Sequence, residues 1–237
     1  MFLNQNLINN PLITMNQNLS EIVYILDRSG SMESLQQAAI DGFNEFLQGQ
    51  LEAPGYANLS LMLFDDEFNK IHDRTPLQEV RGLNKETYTP RGSTALLDAI
   101  GICIDTLGKQ LAAEPEEKRP GKVIVAIYTD GYENASTRYD IRKINKMITR
   151  QRKTYAWEFL FLAANEDAIA TAAQMGIDRS MSSSSSYSAV GVRSSSETFN
   201  RKVRSLRKMS ATGELDEDFL KTTETILAEE EAKGREQ

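Results

Sequence analysis

The sequence predicts an α/β protein: a mostly parallel central sheet held between two layers of helices, a three-layer α/β/α sandwich. Three observations carry this. Short, continuous apolar runs at 21–26, 59–64, 122–129 and 157–163 read as strands buried on both faces. Between them, apolar residues recur at three or four positions, as in Leu35, Ala39, Phe43 and Phe46, or Leu97, Ile100, Ile104, Leu107 and Leu111, the period of a helix with one buried face. Strands and helices alternate along the chain, which implies parallel pairing with helical crossovers on both faces.

Taken in order, residues 1–18 are rich in Asn and Gln, lack Lys and Arg, and are expected to form a loosely ordered leader with neither the basic start nor the apolar stretch of a secretory signal. A helix runs from Met32 to near Gly49, and a strand follows at 59–64. Segments 69–72 and 75–80 read as two shorter strands, and 89–94 as a loop before the second long helix. An exposed connector at 114–121 leads into the strongest strand, 122–129. Then come a basic helix at 140–152, a strand at 157–163 and a short helix at 167–175. The near-pure serine run 180–186 is expected to be a loop or a poor edge strand. A basic helix at 198–209 and an acidic helix at 214–232 complete the chain. The organisation expected is a leader (1–18), one domain (19–210) and an acidic tail (211–237).

A length of 237 residues suits one such domain. No apolar run approaches the ~20 residues of a membrane helix. A net charge of −7 argues against nucleic acid as the main partner, and Cys103, the only cysteine, permits no intrachain disulfide. A cytoplasmic setting is expected.

In open α/β sheets, ligands collect at the carboxyl ends of the strands. Asp27, Ser29 and Ser31 follow the first strand, Thr94 opens the second long helix, and Asp130 follows the strongest strand in Tyr128-Thr129-Asp130-Gly131. Gly30, Gly92 and Gly131 adjoin them and permit a tight backbone. Each piece has a structural reading as well: Ser31 and Thr94 as helix N-caps, Asp130-Gly131 as a turn, Asp27 as a strand end. Their convergence on one edge tells against coincidence. The donors are all hard oxygens, without His or Cys, which suits Mg²⁺, Mn²⁺ or Ca²⁺ rather than zinc. Two carboxylates and three hydroxyls form a low-charge cage that leaves a coordination position of a hard cation open, so such a cage suits capture of a carboxylate from another molecule.

The block Asp27-Arg28-Ser29-Gly30-Ser31 resembles the Asp-x-Ser-x-Ser motif of von Willebrand factor A domains, and Gly92-Ser93-Thr94-Ala95-Leu96 and Thr129-Asp130-Gly131 continue the likeness. It extends over about residues 19–209. The stretch Ala163-Ala164-Asn165-Glu166-Asp167-Ala168 is similar to small bacterial and phage members. The resemblance implies the family's Rossmann-like sandwich and its metal-ion-dependent adhesion site. There, Ser29, Ser31 and Thr94 would ligate Mg²⁺ through hydroxyls, and Asp27 and Asp130 directly or through water. It also implies a rim of Arg28, Gly92, Ser93, Gly131 and Tyr132, and an unknown partner protein supplying an Asp or Glu. The function so implied is metal-dependent protein binding, without catalysis.

Two alternatives compete. A haloacid-dehalogenase-like phosphatase would want a second aspartate two residues after Asp27, where Ser29 stands. A Ser/His/Asp triad has only His72 to draw on, in the charged stretch 70–74, and Cys103 lies on an apolar helix face. Nucleic-acid binding could use Arg138, Arg142, Lys143, Lys146, Arg150, Arg152 and Lys153, or Arg201, Lys202, Arg204, Arg207 and Lys208. The preferred reading of both clusters is a solvated helix face, the second balanced by the acidic tail. That tail carries a modest apolar stripe, Leu215, Phe219, Thr223, Ile226 and Leu227, able to pack on the parent domain or on a partner.

Overall fold

A computed structural model describes residues 15–131, 133–165 and 167–235. Six strands form one sheet in the order β3-β2-β1-β4-β5-β6: β1 (Asn16–Asp27), β2 (Tyr56–Phe64), β3 (Phe68–Pro76), β4 (Pro120–Thr129), β5 (Glu158–Ala163) and β6 (Ser182–Ser184). All neighbours pair in parallel except the edge strand β3, which runs antiparallel to β2. The predicted sandwich is what forms. Helices α1 (Gln36–Leu51), α5 (Ala189–Thr212) and α7 (Thr223–Arg235) supply one apolar layer, and α2 (Leu96–Ala113), α3 (Ile141–Tyr155) and α4 (Ala168–Gln174) the other. A four-residue turn of helix, α6 (Glu217–Leu220), links α5 to α7.

Alternation along β1 sorts its side chains between the layers, because successive strand residues face opposite ways. Ile22, Tyr24 and Leu26 join the α1/α5 core, and Val23 and Ile25 join the α2/α3 core. The Tyr24 ring meets Phe43, Phe46 and Phe199 edge-on, with centroids 5.4, 4.9 and 5.6 Å away.

Several expectations need correction. β1 begins at Asn16, so residues 16–18 belong to the sheet, and residues 1–14 lie outside the described part. A 3-10 turn, Gly30–Leu35, precedes α1. The two short strands expected at 69–80 are one strand, β3, followed by a 3-10 turn at Leu77–Glu79. β3 bends at Arg74, whose φ is 51° and whose guanidinium pairs with Glu21 and Glu114. The serine run does include an edge strand, with Ser182 and Ser183 buried.

α5 starts at Ala189, well before the expected 198, because its first turns pack through small polar residues that an apolar count passes over. Ser194, Ser195 and Ser196 are buried, and a Cβ at Gly42 of α1 would lie 2.5 Å from Ser196 Oγ. The acidic segment is two helices, α6 and α7, and it packs on the parent domain: Thr223, Ile226 and Leu227 are buried while Leu215 is exposed.

The basic face of α5 is also not solvated as expected. Arg201 pairs with Asp218, Glu229 and Glu230. Lys202, 2 % exposed, donates to the carbonyls of Asp218, Phe219 and Lys221. Arg207, 1 % exposed, reaches the carbonyls of Gln50 and Gly55. No helix among the described residues is long and apolar enough to cross a membrane.

Candidate metal centre

β1 and β4 run side by side to the carboxyl edge of the sheet, with Leu26 opposite Tyr128, so Asp27 and Thr129 end together. Thr129 Oγ1 donates to Asp27 Oδ2, and Ser29 N donates to Asp27 Oδ1 at 2.7 Å. The Tyr88 hydroxyl donates to the Asp27 carbonyl at 2.6 Å. The carboxyl is therefore fixed before any ligand is considered. Beyond it, Ser29 Oγ lies 3.0 Å from Ser31 Oγ, and Ser31 Oγ donates to Asp130 Oδ1 at 3.0 Å.

Thr94 comes from the loop before α2. A Cβ at Gly131 would sit 3.1 Å from Thr94 Oγ1 and 3.8 Å from Ser31 Oγ, so glycine there leaves the hydroxyls their room. The β1 and α2 loops are joined by Gly30 N donating to the Gly92 carbonyl at 3.1 Å and Arg91 N to the Arg28 carbonyl at 2.8 Å. Gly92 has φ 65°, the left-handed region. The structure thus brings Asp27, Ser29, Ser31, Thr94 and Asp130 to one place.

The expected caps do not form. The turn after β1 starts at Ser29 with no side-chain cap, and Ala95, not Thr94, stands at the start of α2. The N-terminus of α2 is served from a distance by Glu133, which accepts from Leu97 N at 2.8 Å and from Ala135 N and Ser136 N of its own loop. Asn134 binds Thr94 twice: its Oδ1 accepts from Thr94 N at 2.9 Å and its N–H donates to the Thr94 carbonyl. Asp98 accepts from three consecutive amides, Thr137 to Tyr139. Sequence reasoning missed these residues; acids spaced within two to four residues of a Ser or Thr were the only signal.

Arg28, expected on the rim, is instead buried, with Nε 2.8 Å from Asp65 Oδ2. Asp65 is itself fully buried and also holds Arg91. Gly92 and Ser93 are exposed beside the centre and Gly131 is half-buried, as a rim requires. Tyr132 lies outside the described residues.

The electrostatics set a test of fit. Burial, opposed by the Thr129 and Ser29 hydrogen bonds, pushes the Asp27 carboxyl up to about 6, and burial also raises Asp130. Neither carboxyl belongs to an ion pair among the described residues. Asp130 Oδ2 is buried with no hydrogen-bond partner. A buried acceptor without a donor is costly, and a divalent cation between the two carboxyls would remove that cost. The residues fit such an ion. No cluster of three or more His, Cys, Asp or Glu side chains stands ready to hold a metal among the described residues, so hydroxyls must complete any set.

No protein-family model matches the chain, and no curated protein matches it by sequence. Solved structures do. Proximal thread matrix protein 1 from the mussel byssus superposes with TM-score 0.56 at 14 % identity, over 80 % of this chain and 46 % of that one. A second structure of it, described as having a zinc-occupied MIDAS motif, gives 0.53 at 15 % identity over 79 % and 48 %. A von Willebrand factor type A structure from Catenulispora acidiphila gives 0.49 at 11 % identity over 81 % and 42 %.

The fold is that of a von Willebrand factor A domain. The chain spans about half the length of the mussel protein. At such identities the likeness carries the fold alone, and the chemistry of this edge of the sheet rests on its own side chains.

Proposed function

We propose that this chain is a divalent-metal-dependent protein-binding module whose partner contributes an acidic side chain. The observation that carries the reading is the orphaned Asp130 Oδ2, buried near Asp27 with three hydroxyls converging and, among the described residues, no ion pair to either carboxyl. Asp27 and Asp130 would hold the ion and orient the shell, and Ser29, Ser31 and Thr94 would give neutral oxygens. Bound there, the ion would supply a Lewis-acidic point with a coordination position left for a partner's oxygen. Mg²⁺ is the proposed ion, with Mn²⁺ or Ca²⁺ as substitutes, because every donor is a hard oxygen. Gly92 and Ser93, exposed at the edge, would meet the partner first.

The reading is non-catalytic. His72 is spent on the Arg81 carbonyl at 2.9 Å, on the edge strand, and Cys103 is sealed in the α2 face. The lone cysteine and the likeness of 163–168 to bacterial and phage members support a cytoplasmic module of that kind. Calorimetric titration with Mg²⁺ and Mn²⁺ tests the ion site: saturable binding is expected for the native chain and none for Asp130→Ala. Affinity capture in Mg²⁺ against EDTA tests the partner. Recovery of the same protein in EDTA and by Asp130→Ala would overturn the reading.

A further inference from the structure

At the opposite edge of the sheet, roughly 30 Å along β4 from Asp130 at ~3.3 Å per residue, lies a cavity of about 380 Å³. That is within the range of small-molecule sites, ~300–1,000 Å³. Its walls come from three elements. α2 contributes Ile104 and Leu111, the start of β4 contributes Pro120 and Val123, and Trp157 closes the floor between α3 and β5. These side chains are apolar and, Trp157 included, buried. At the mouth stand Met15 and Tyr155, 38 % and 49 % exposed, large apolar groups left facing water.

The polar groups of the lining are unequal. Arg119 is committed, donating through Nε to the Glu114 carbonyl at 2.9 Å and through Nη2 to that of Ala112. Asp105 accepts from the Tyr139 hydroxyl at 2.7 Å. Lys109 and Arg150, both exposed at the mouth, enter no ion pair among the described residues. An apolar chamber with two uncommitted cations at its entrance is complementary to an apolar body with one anionic head.

The geometry points to a binding site for a small amphipathic carboxylate, of the medium-chain fatty acid kind, with its tail against Ile104, Leu111, Val123 and Trp157 and its head between Lys109 and Arg150. A neutral alcohol with the same tail would bury the same surface but forgo the charge-assisted hydrogen bonds, and should bind more weakly.

Trp157 is the only tryptophan of the chain, so its emission reports on this cavity alone. The full chain is titrated with decanoate and, separately, with decanol, and repeated with the surface variant Lys109→Gln/Arg150→Gln. The expected result is a saturable change in Trp157 emission with decanoate, weakened roughly tenfold or more in the double variant, the loss of a charge-assisted hydrogen bond. Decanol should bind both proteins alike and more weakly than decanoate binds the native chain. Equal affinity for decanoate in native and variant proteins, equal affinity for acid and alcohol, or no saturable response below about 1 mM, would each overturn the proposal. A second substitution, Ala112→Phe, guards the result without adding a second tryptophan: crowding the chamber from α2 should abolish decanoate binding while leaving Mg²⁺ binding at Asp130 unchanged, and undiminished decanoate binding would count against the cavity.

Discussion

The Tyr187 hydroxyl donates a 2.6 Å hydrogen bond to the Ser31 carbonyl, across 156 residues of sequence. It also lies 3.3 Å from Ser34 Oγ. Tyr187 belongs to the loop between β6 and α5, so that loop steadies the turn that carries two of the proposed ligands. Tyr187→Phe should leave folding unchanged and weaken Mg²⁺ binding a few-fold, about 0.5–1.5 kcal/mol for one hydrogen bond. Titration calorimetry of the two proteins at one ionic strength measures it.

Glu133 acts on the other side of the centre. Its carboxylate gathers three backbone amides, one of them at the start of α2. Glu133→Ala should cost about 1–3 kcal/mol in urea unfolding, since amides buried against it lose their acceptor. It should also lower Mg²⁺ affinity, because Asn134, the next residue, positions Thr94.

Ala156 ends α3 with φ 52°, a left-handed conformation that a side chain disfavours. Ala156→Gly should therefore raise stability by about 0.5–1 kcal/mol, read as a higher urea midpoint at unchanged m-value.

The Cys103 thiol is pushed up to about 12 by burial, from 9.0 when exposed. A raised folded-state value means that the native chain keeps a proton the unfolded chain has released. Stability is thus full below pH 9 and falls as pH rises from 9 toward 12. At pH 8 the native thiol should resist a disulfide reagent and react at once in denaturant. Fast native labelling would contradict the sealed position.

Arg201 stands among Asp218, Glu229 and Glu230. Neutralising all three as Asp218→Asn/Glu229→Gln/Glu230→Gln should release a cationic face on α5. Retention on heparin at low salt, absent in the native chain, is the expected outcome.

The parts of this molecule visible in the sequence are those governed by period and by spacing. Apolar runs gave away β1, β2, β4 and β5, and the helical stripe from Leu97 to Leu111 gave away α2. The convergence of Asp27, Ser31, Thr94 and Asp130 followed from where those elements end. What escaped depends on distant partners. Ser194 to Ser196 look solvent-facing until Gly42 is placed against Ser196. Arg207 looks like surface charge until Gln50 and Gly55 turn carbonyls toward it. Arg28 reads as a rim residue until Asp65, from another strand's end, draws it inward. Caps failed for the same reason: Ser31 and Thr94 direct their hydroxyls to the centre, and Glu133 reaches α2 from the loop after β4.

The packing of α7 on α5 has one more consequence. A polyanion arriving from solution competes for Arg201 with carboxylates on the same chain, and a short tether fixes their effective concentration in the millimolar range for flexible linkers. Dilution cannot lower that figure. Any such polyanion would have to displace Asp218, Glu229 and Glu230 before it met Arg201, at whatever concentration the protein is present.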